Sequence, residues 1–164
     1  MSGRRVVLRR PAVADAPGIA SVQVDGWRET YGHLLPSRFY DDAELAARTT
    51  RWRELLNQDP PPPRLQVADE EGTLVGVAVA GPAQGDDPAR ELQLYAIYVR
   101  LSHHGTGLGA RLLEAVLGDE PAQLWVAKDN PRAHAFYRKH GFQPDGHEVA
   151  DPDLDDLLEV RLVR

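Results

Sequence analysis

The sequence predicts a mixed α/β (α+β) domain of about seven strands and four helices. Three stretches predict it. Leu65–Ala68 and Leu74–Ala80 are apolar, β-branched runs around a Glu70-Glu71-Gly72 turn, the pattern of an antiparallel hairpin. Residues 91–127 read as strand, glycine-rich turn, amphipathic helix and strand, a crossover that makes its two strands parallel. Residues 15–57 carry apolar residues at helical spacing in two blocks. A chain of 164 residues suits one domain over 1–164, with no repeat, low-complexity tract or linker to divide it.

Taken in order, Val6 to Arg9 reads as a first strand, ended by Pro11. Asp15 is a candidate helix cap, and Pro17 is tolerated in a first turn. Ile19, Ala20, Gln23, Val24 and Trp27 mark a helix to about Tyr31. GHLLPSRFY is a connecting loop. A second helix is predicted over Asp41 to Asn57, capped by Asp41 or Asp42, with Leu45, Arg48, Thr49, Trp52, Leu55 and Leu56 on one stripe. DPPPP at 59–63 cannot be helical. After the hairpin, GPAQGDDPA turns the chain into a central strand containing Leu92, Leu94, Tyr95, Ile97, Tyr98 and Val99. Leu108, Leu112, Leu113, Val116 and Leu117 then form a helical stripe stopped by Gly118. Leu124–Ala127 is a strand, Pro131 opens a helix to about His140, and Gly141 ends it. Phe142 begins a strand, and Leu157–Val163 is its partner. The acidic run Asp145–Asp156 between them reads as a solvated loop.

Gly105, Gly107 and Gly109 alternate between the central strand and the helix. Glycine lets a ligand approach the main chain and accepts positive φ, and a helix N-terminus offers free N–H groups. The combination predicts a seat for a phosphate or pyrophosphate. No Lys-Ser/Thr pair follows, so the nucleoside-triphosphate loop pattern fails. Gly105, Gly107 and Ala110, with Asp129 beyond, match the dinucleotide pattern, which would make this a nucleotide-binding oxidoreductase domain. That motif normally opens its domain, whereas here too little chain follows for more than one further unit.

VRLSHHGTGLGARLL followed by LWVAKDNPRAHAFYRKHGF resembles the two best-marked motifs of the GNAT superfamily of acyl-CoA-dependent N-acetyltransferases. The first is similar to that family's coenzyme A pyrophosphate loop, the second to its N-x-x-A-x-x-F-Y-x-K-x-G-F helix. Asn130, Ala133, Phe136, Tyr137, Lys139, Gly141 and Phe142 fall in register. The resemblance implies a GNAT-like single N-acetyltransferase domain whose central strands splay apart. It implies acetyl-CoA as cofactor, its pantetheine on the main chain of Ile97, Tyr98 and Val99. Its diphosphate would lie on the turn of His104, Gly105, Thr106, Gly107, Leu108, Gly109 and Ala110, with Asn130, Ala133 and Phe136 beside the arm. His104 stands where the family usually has Gln or Arg.

In the family's mechanism an amine attacks the thioester directly in a ternary complex. By resemblance Tyr137 protonates the leaving thiolate. The family's basic Glu maps to Gln93, which cannot take a proton at useful pH. Glu91, two residues earlier and on the same face of a period-2 strand, is the candidate base, directly or through a water. Tyr95 shares that face and, with Gln93, Trp27 and Tyr31, is a candidate for the acceptor pocket. Glu29 and His33 lie in the same stretch. The alternative is a non-catalytic acyl-CoA-binding module on the same fold, which the departures at Gln93 and His104 leave open.

Composition bounds the rest. The apolar fraction of 42% is that of a globular protein. The chain has no cysteine, which excludes disulfides, cysteine metal ligands and a thiol-linked acyl-enzyme. Adjacent His103 and His104 lack a third ligand, so no metal is expected. A net charge of −6 argues against nucleic acid and suits cationic substrates. MSGRRVVLRR has no apolar run fit for a signal or membrane span, so a cytoplasmic protein without a membrane partner is expected. Expected partners are a small-molecule or peptide amine and, by resemblance, a second copy in a homodimer.

Overall fold

The computed structural model describes residues 3–164. In chain order the elements are β1 (Val6–Arg9), α1 (Ala16–Tyr31), α2 (Asp42–Leu56), β2 (Leu65–Glu70), β3 (Thr73–Pro82), β4 (Leu92–Val99), α3 (Leu108–Leu117), β5 (Gln123–Ala127), α4 (Pro131–Lys139), β6 (Gln143–Asp151) and β7 (Leu157–Val163). The strands form one mixed sheet in the order β1-β2-β3-β4-β5-β7-β6. The pair β4–β5 is parallel, joined through α3, and the other neighbours are antiparallel.

Alternation along the strands builds two cores. Leu65, Val67, Val77 and Val79 meet Ile19, Val22, Trp52 and Leu56 of α1 and α2. Ala68, Ala78, Leu94, Leu124 and Leu162 meet Leu108, Leu112, Leu113 and Val116 of α3, with Tyr137 and Phe142. Two glycines permit close packing. An added Cβ at Gly26 of α1 would lie 2.8 Å from the Tyr98 ring, and one at Gly76 of β3 would lie 2.9 Å from Leu112. No described helix is long and apolar enough to cross a membrane.

The hairpin of β2 and β3 closes on Glu71 and Gly72, with φ of 52° and 92°, the left-handed pair that a two-residue turn needs. Asp41 caps α2, its carboxylate accepting from the Glu44 N–H at 2.9 Å.

Three expectations need correction. Asp15 does not cap α1 with its side chain. Its carboxylate instead accepts from the Ala12 N–H (2.7 Å) and from both terminal nitrogens of Arg9 (2.8 and 2.9 Å), a charge-assisted pairing that outcompetes a neutral amide. The acidic run is not a loop throughout. Residues 143–151 form edge strand β6, held by backbone pairing to β7 and by Asp145 bonded to the buried Arg161 at 2.6 Å. An edge strand can carry many acids because its outer side is solvated. Finally, the period-2 phase of β4 breaks at Tyr95. Val79 faces Ala96 and Ala80 faces Leu94, so Tyr95 has no partner across β3. Leu94, Ile97 and Val99 consequently point to the α3 core, whereas Ala96 and Tyr98 point to α1.

Leu112 is fully buried between α3 and β3. Leu112→Ala should destabilise the fold by about 3 kcal/mol in urea unfolding, the usual cost of such a cavity.

Candidate active site

β4 and β5 pair only at Gln93↔Gln123 and Leu94↔Leu124. Beyond that β4 stays with β3 and β5 with β7, so the two strands part and the β5-side edge of residues 95–99 loses its partner. The last stitch is a buried amide pair. The Gln123 side-chain NH₂ donates to Gln93 Oε1 (3.0 Å), and Gln123 Oε1 accepts from the Ala89 and Arg90 N–H groups (2.7 and 3.2 Å).

The gap opens into a cavity of about 410 Å³. Its walls are Tyr95–Val99 of β4, Trp125 and Val126 of β5, the glycine turn, and α4 from Asn130 to His140, with the end of α1 across the mouth. The turn is shaped for a ligand. Gly105 and Gly107 have φ of 76° and 83°, and a Cβ at either would meet nothing within 4 Å. Among the described residues the N–H groups of 105–110 reach no protein acceptor. Arg132 and Lys139 of α4 add positive charge to the lining. Together these donors and cations suit a diphosphate, and the free strand edge suits the amides of an extended chain.

Gly109 has a second reason to be glycine, since Phe136 lies 3.2 Å from where its Cβ would be. His104 donates from Nε2 to the Val99 carbonyl at 2.8 Å, which leaves Nδ1 buried with no partner. Asn130 caps α4, accepting from the Ala133 N–H at 3.2 Å. His103 pairs with Glu70 at 3.0 Å and with the Ser102 hydroxyl at 2.8 Å.

Of the residues singled out in the sequence, Ile97, Tyr98, Val99, His104, Gly105, Gly107, Leu108, Gly109, Ala110, Asn130, Ala133, Phe136, Tyr137, Tyr95 and Tyr31 all line this cavity. Four do not. The Thr106 hydroxyl turns away to the His103 carbonyl (2.6 Å). Gln93 is consumed in the amide stitch. Glu91 is exposed at the start of β4, outside the lining. Trp27 lines a second cavity and donates its indole N–H to the Tyr98 hydroxyl at 2.7 Å. Tyr95 is in the lining although Gln93 is not, because the Gln93 amide is taken up by Gln123 and the Gln84 N–H, whereas the Tyr95 ring lies over Gly81 beside the gap.

Three phenols converge here. Burial raises the Tyr137 hydroxyl well above the ordinary tyrosine range, with Tyr98 and Tyr31 adding to it. Burial likewise raises Tyr31 and Tyr98. All three are neutral donors at physiological pH. The Tyr137 ring is fixed edge-on against Phe136 and Phe142, at 5.3 and 5.8 Å.

One acid was not singled out in the sequence. Glu159 of β7 lies opposite Ala127 at the end of β5, on the face that carries Trp125 and Arg161. Partial burial, and then the neighbouring Asp151 carboxylate, push Glu159 up to about 7. Its charge is felt by both Tyr31 and Tyr98. No local motif marks it, because β7 reaches β5 only through a non-sequential sheet order.

A sheet whose parallel pair parts after two residues, with a glycine turn at the mouth of the gap, has the architecture of an N-acetyltransferase. The sequence profile of the acetyltransferase (GNAT) family matches residues 25–142, and the chain belongs to that family. An uncharacterised N-acetyltransferase, YuaI, of Bacillus subtilis is 26% identical over 160 residues, covering 93% of this chain and 90% of its own. The L-methionine sulfoximine/L-methionine sulfone acetyltransferase of Pseudomonas aeruginosa is 27% identical over 152 residues, covering 85% and 81%. Among solved structures, the PaiA N-acetyltransferase of Thermoplasma acidophilum in complex with coenzyme A superposes with a TM-score of 0.69 at 18% identity, over 96% of this chain and 98% of that one.

The Glu159 carboxyl should titrate with a midpoint near 7 when followed by carboxyl ¹³C NMR. Asp151→Asn should lower that midpoint, because it removes the like charge that disfavours ionisation.

Proposed function

We propose that the protein is an acetyl-CoA-dependent N-acetyltransferase that acts on a primary amine by direct attack in a ternary complex. The observation that carries this is the juxtaposition of the open β4 edge, the unpaired turn amides at 105–110 and the buried phenol of Tyr137 in one cavity. Family membership and the coenzyme A held by the Thermoplasma structure support the cofactor. The name of the Pseudomonas relative supports a small amino acid derivative as one kind of acceptor.

Acetyl-CoA supplies an acyl group already activated as a thioester. The turn amides and the α3 N-terminus bind its diphosphate, with Arg132 and Lys139 as added cations. Nε2 of His104 is taken by the Val99 carbonyl and Nδ1 is buried, so His104 braces the turn against β4 and the backbone amides carry the diphosphate. Main-chain groups of Ile97–Val99 orient the acyl arm, which converts a bimolecular encounter into a positioned one. As the amine nitrogen bonds to the acyl carbon and the C–S bond breaks, the Tyr137 hydroxyl, kept protonated by burial, gives its proton to the departing sulfur. It recovers one from the acylated nitrogen, which must shed it to become an amide.

The base is assigned differently from the sequence reading. Glu91 is exposed and outside the cavity lining, and Gln93 is amide-paired, so neither reaches the acceptor face. Glu159 is outside the lining as well, but it shares the sheet face of Trp125, which lines the cavity, and its charge is felt by Tyr31 and Tyr98 of the lining. It is poised near neutrality, as a general base acting through a water should be. It takes the proton of the acceptor's ammonium through that water. The splayed strand edge and the proton donor favour catalysis over a module that only binds acyl-CoA.

Tyr137→Phe should lower kcat about a hundredfold while leaving the Kd for coenzyme A unchanged, read by thiol release and calorimetry. Loss of coenzyme affinity instead would make Tyr137 a packing residue. With Glu159 as base, kcat/KM in the wild type should rise as pH increases through about 7, because only the ionised carboxylate accepts a proton. Glu159→Gln should remove that limb. Its thermal stability should exceed that of the wild type above pH 7 and converge on it below about pH 4. The reason is the sign of the shift: a carboxyl raised on folding loses stability as pH rises towards its folded value.

A further inference from the structure

Behind Trp27 lies a second cavity, of about 430 Å³, lined among others by Gln23, Arg48, Arg51 and Asp151. Arg48 is only 8% exposed, an unusual place for a guanidinium. Its Nε donates to Glu44 at 2.8 Å, and its plane lies over the Trp27 ring at 4.7 Å. Those contacts fix its orientation but leave two nitrogens unused. Among the described residues neither terminal nitrogen bonds to protein, and neither is sealed from solvent. Arg48 itself lines the cavity, so its unused donors are available to a group held there. Glu44 is shared with Arg51, whose terminal nitrogen lies 2.7 Å from the same oxygen, so one carboxylate serves two cations. Across the cavity stand Asp151 and Asp153.

This second cavity adjoins the first by two links. Trp27 lines the second and bonds the hydroxyl of Tyr98, which lines the first. Asp151 lines the second and is the acidic neighbour of Glu159. A planar fork with two free N–H donors matches a carboxylate in bidentate fashion. The acids opposite repel a dianion such as a phosphate monoester and attract an ammonium. A group carrying both charges, with the anion on Arg48 and the cation toward the acids, satisfies both walls.

We propose that Arg48 forms the carboxylate subsite of the acceptor, which is therefore an amino acid or a similar amino-carboxylate rather than a polyamine, an internal lysine or a simple amine. The proposal rests on the acetyltransferase reading for its reaction but not for its binding site. In it Arg48 binds substrate without taking part in proton or acyl transfer, and Trp27 holds it flat.

The test uses matched pairs: L-leucine with L-leucinamide, L-methionine with L-methioninamide, and 4-aminobutanoate with 4-aminobutanamide. For at least one pair the wild type should acetylate the acid with a kcat/KM on the order of tenfold above the amide. Arg48→Met should abolish that preference through the KM for the acid, leaving the KM for acetyl-CoA and the rate on the amide unchanged. Arg48→Lys, which keeps the charge but not the fork, should retain part of it. Turnover that is equal for acid and amide, or faster for the amide, overturns the subsite, as does an Arg48→Met variant that loses both members equally. The wild-type comparison stands even if Arg48→Met does not fold. Calorimetry of the coenzyme A-loaded wild type with the same pairs separates the two readings. Selective binding of an acid without turnover of any amine keeps the subsite and overturns the acetyltransferase. Turnover without carboxylate preference does the reverse.

Discussion

The parting of β4 from β5 is the constraint on which the site depends. A sheet interior normally satisfies every N–H and C=O across its ladders. Here the ladder stops after Leu94, and five residues of β4 keep an unpaired edge inside the protein. The cause is local. The bulge at Tyr95 adds a residue to β4 against β3, which turns the strand and changes which side chains face α1. Gly81 makes room for it, since a Cβ there would lie 2.8 Å from the Tyr95 hydroxyl. That hydroxyl bonds the Pro82 carbonyl, which fixes the ring over β3. The buried Gln93–Gln123 pair holds the strands together up to the point of divergence. Glutamine at 93 is thus a structural stitch.

What was legible in the sequence was local. Helical periodicity located all four helices within a few residues, and the alternation around Glu71-Gly72 gave the hairpin. The three alternating glycines marked the turn because positive φ and close approach leave few other residues. Every coenzyme-site candidate drawn from the two family motifs except Thr106 lines the cavity. What failed needed register or long-range order. Glu91 was aligned with Gln93 and Tyr95 by a period of two, but it precedes β4 and stands exposed outside the gap, a boundary that no side-chain pattern announces. Glu159 could not be found because β7 inserts between β5 and β6, so its neighbours Ala127 and Asp151 follow from sheet order alone. Arg48 sat in a predicted apolar stripe, where its stem was informative and its charge was not.

The buried cations of the acceptor side separate structural from available charge. Arg161 is 5% exposed and fully engaged, by Asp145, the Asp87 carbonyl and the ring nitrogen of His147, with Trp125 beneath it. It ties β6 and β7 to the turn before β4. Arg48 is nearly as buried but has one short contact to a carboxylate that it must share. Burying a guanidinium is costly unless its donors are used. Completing the first group's bonds within the fold yields rigidity. Leaving the second incomplete toward a cavity makes sense when something else completes it.

Proton chemistry on the proposed reading divides the same way. Burial acts on Tyr31, Tyr98, Tyr137 and Glu159 with one sign, disfavouring the anion of each. The consequences differ because the starting points differ. A phenol raised further from neutrality becomes a permanent donor, whereas a carboxyl raised to neutrality becomes an exchangeable one. A single low-dielectric pocket can thereby supply both partners of an amine acylation: a group that never releases its proton to bulk water, and one that both takes and sheds it near pH 7. Asp151 sharpens the second by opposing its charge. An ammonium bound between them would relieve that opposition, so arrival of the substrate lowers the affinity of Glu159 for its own proton and readies it as a base.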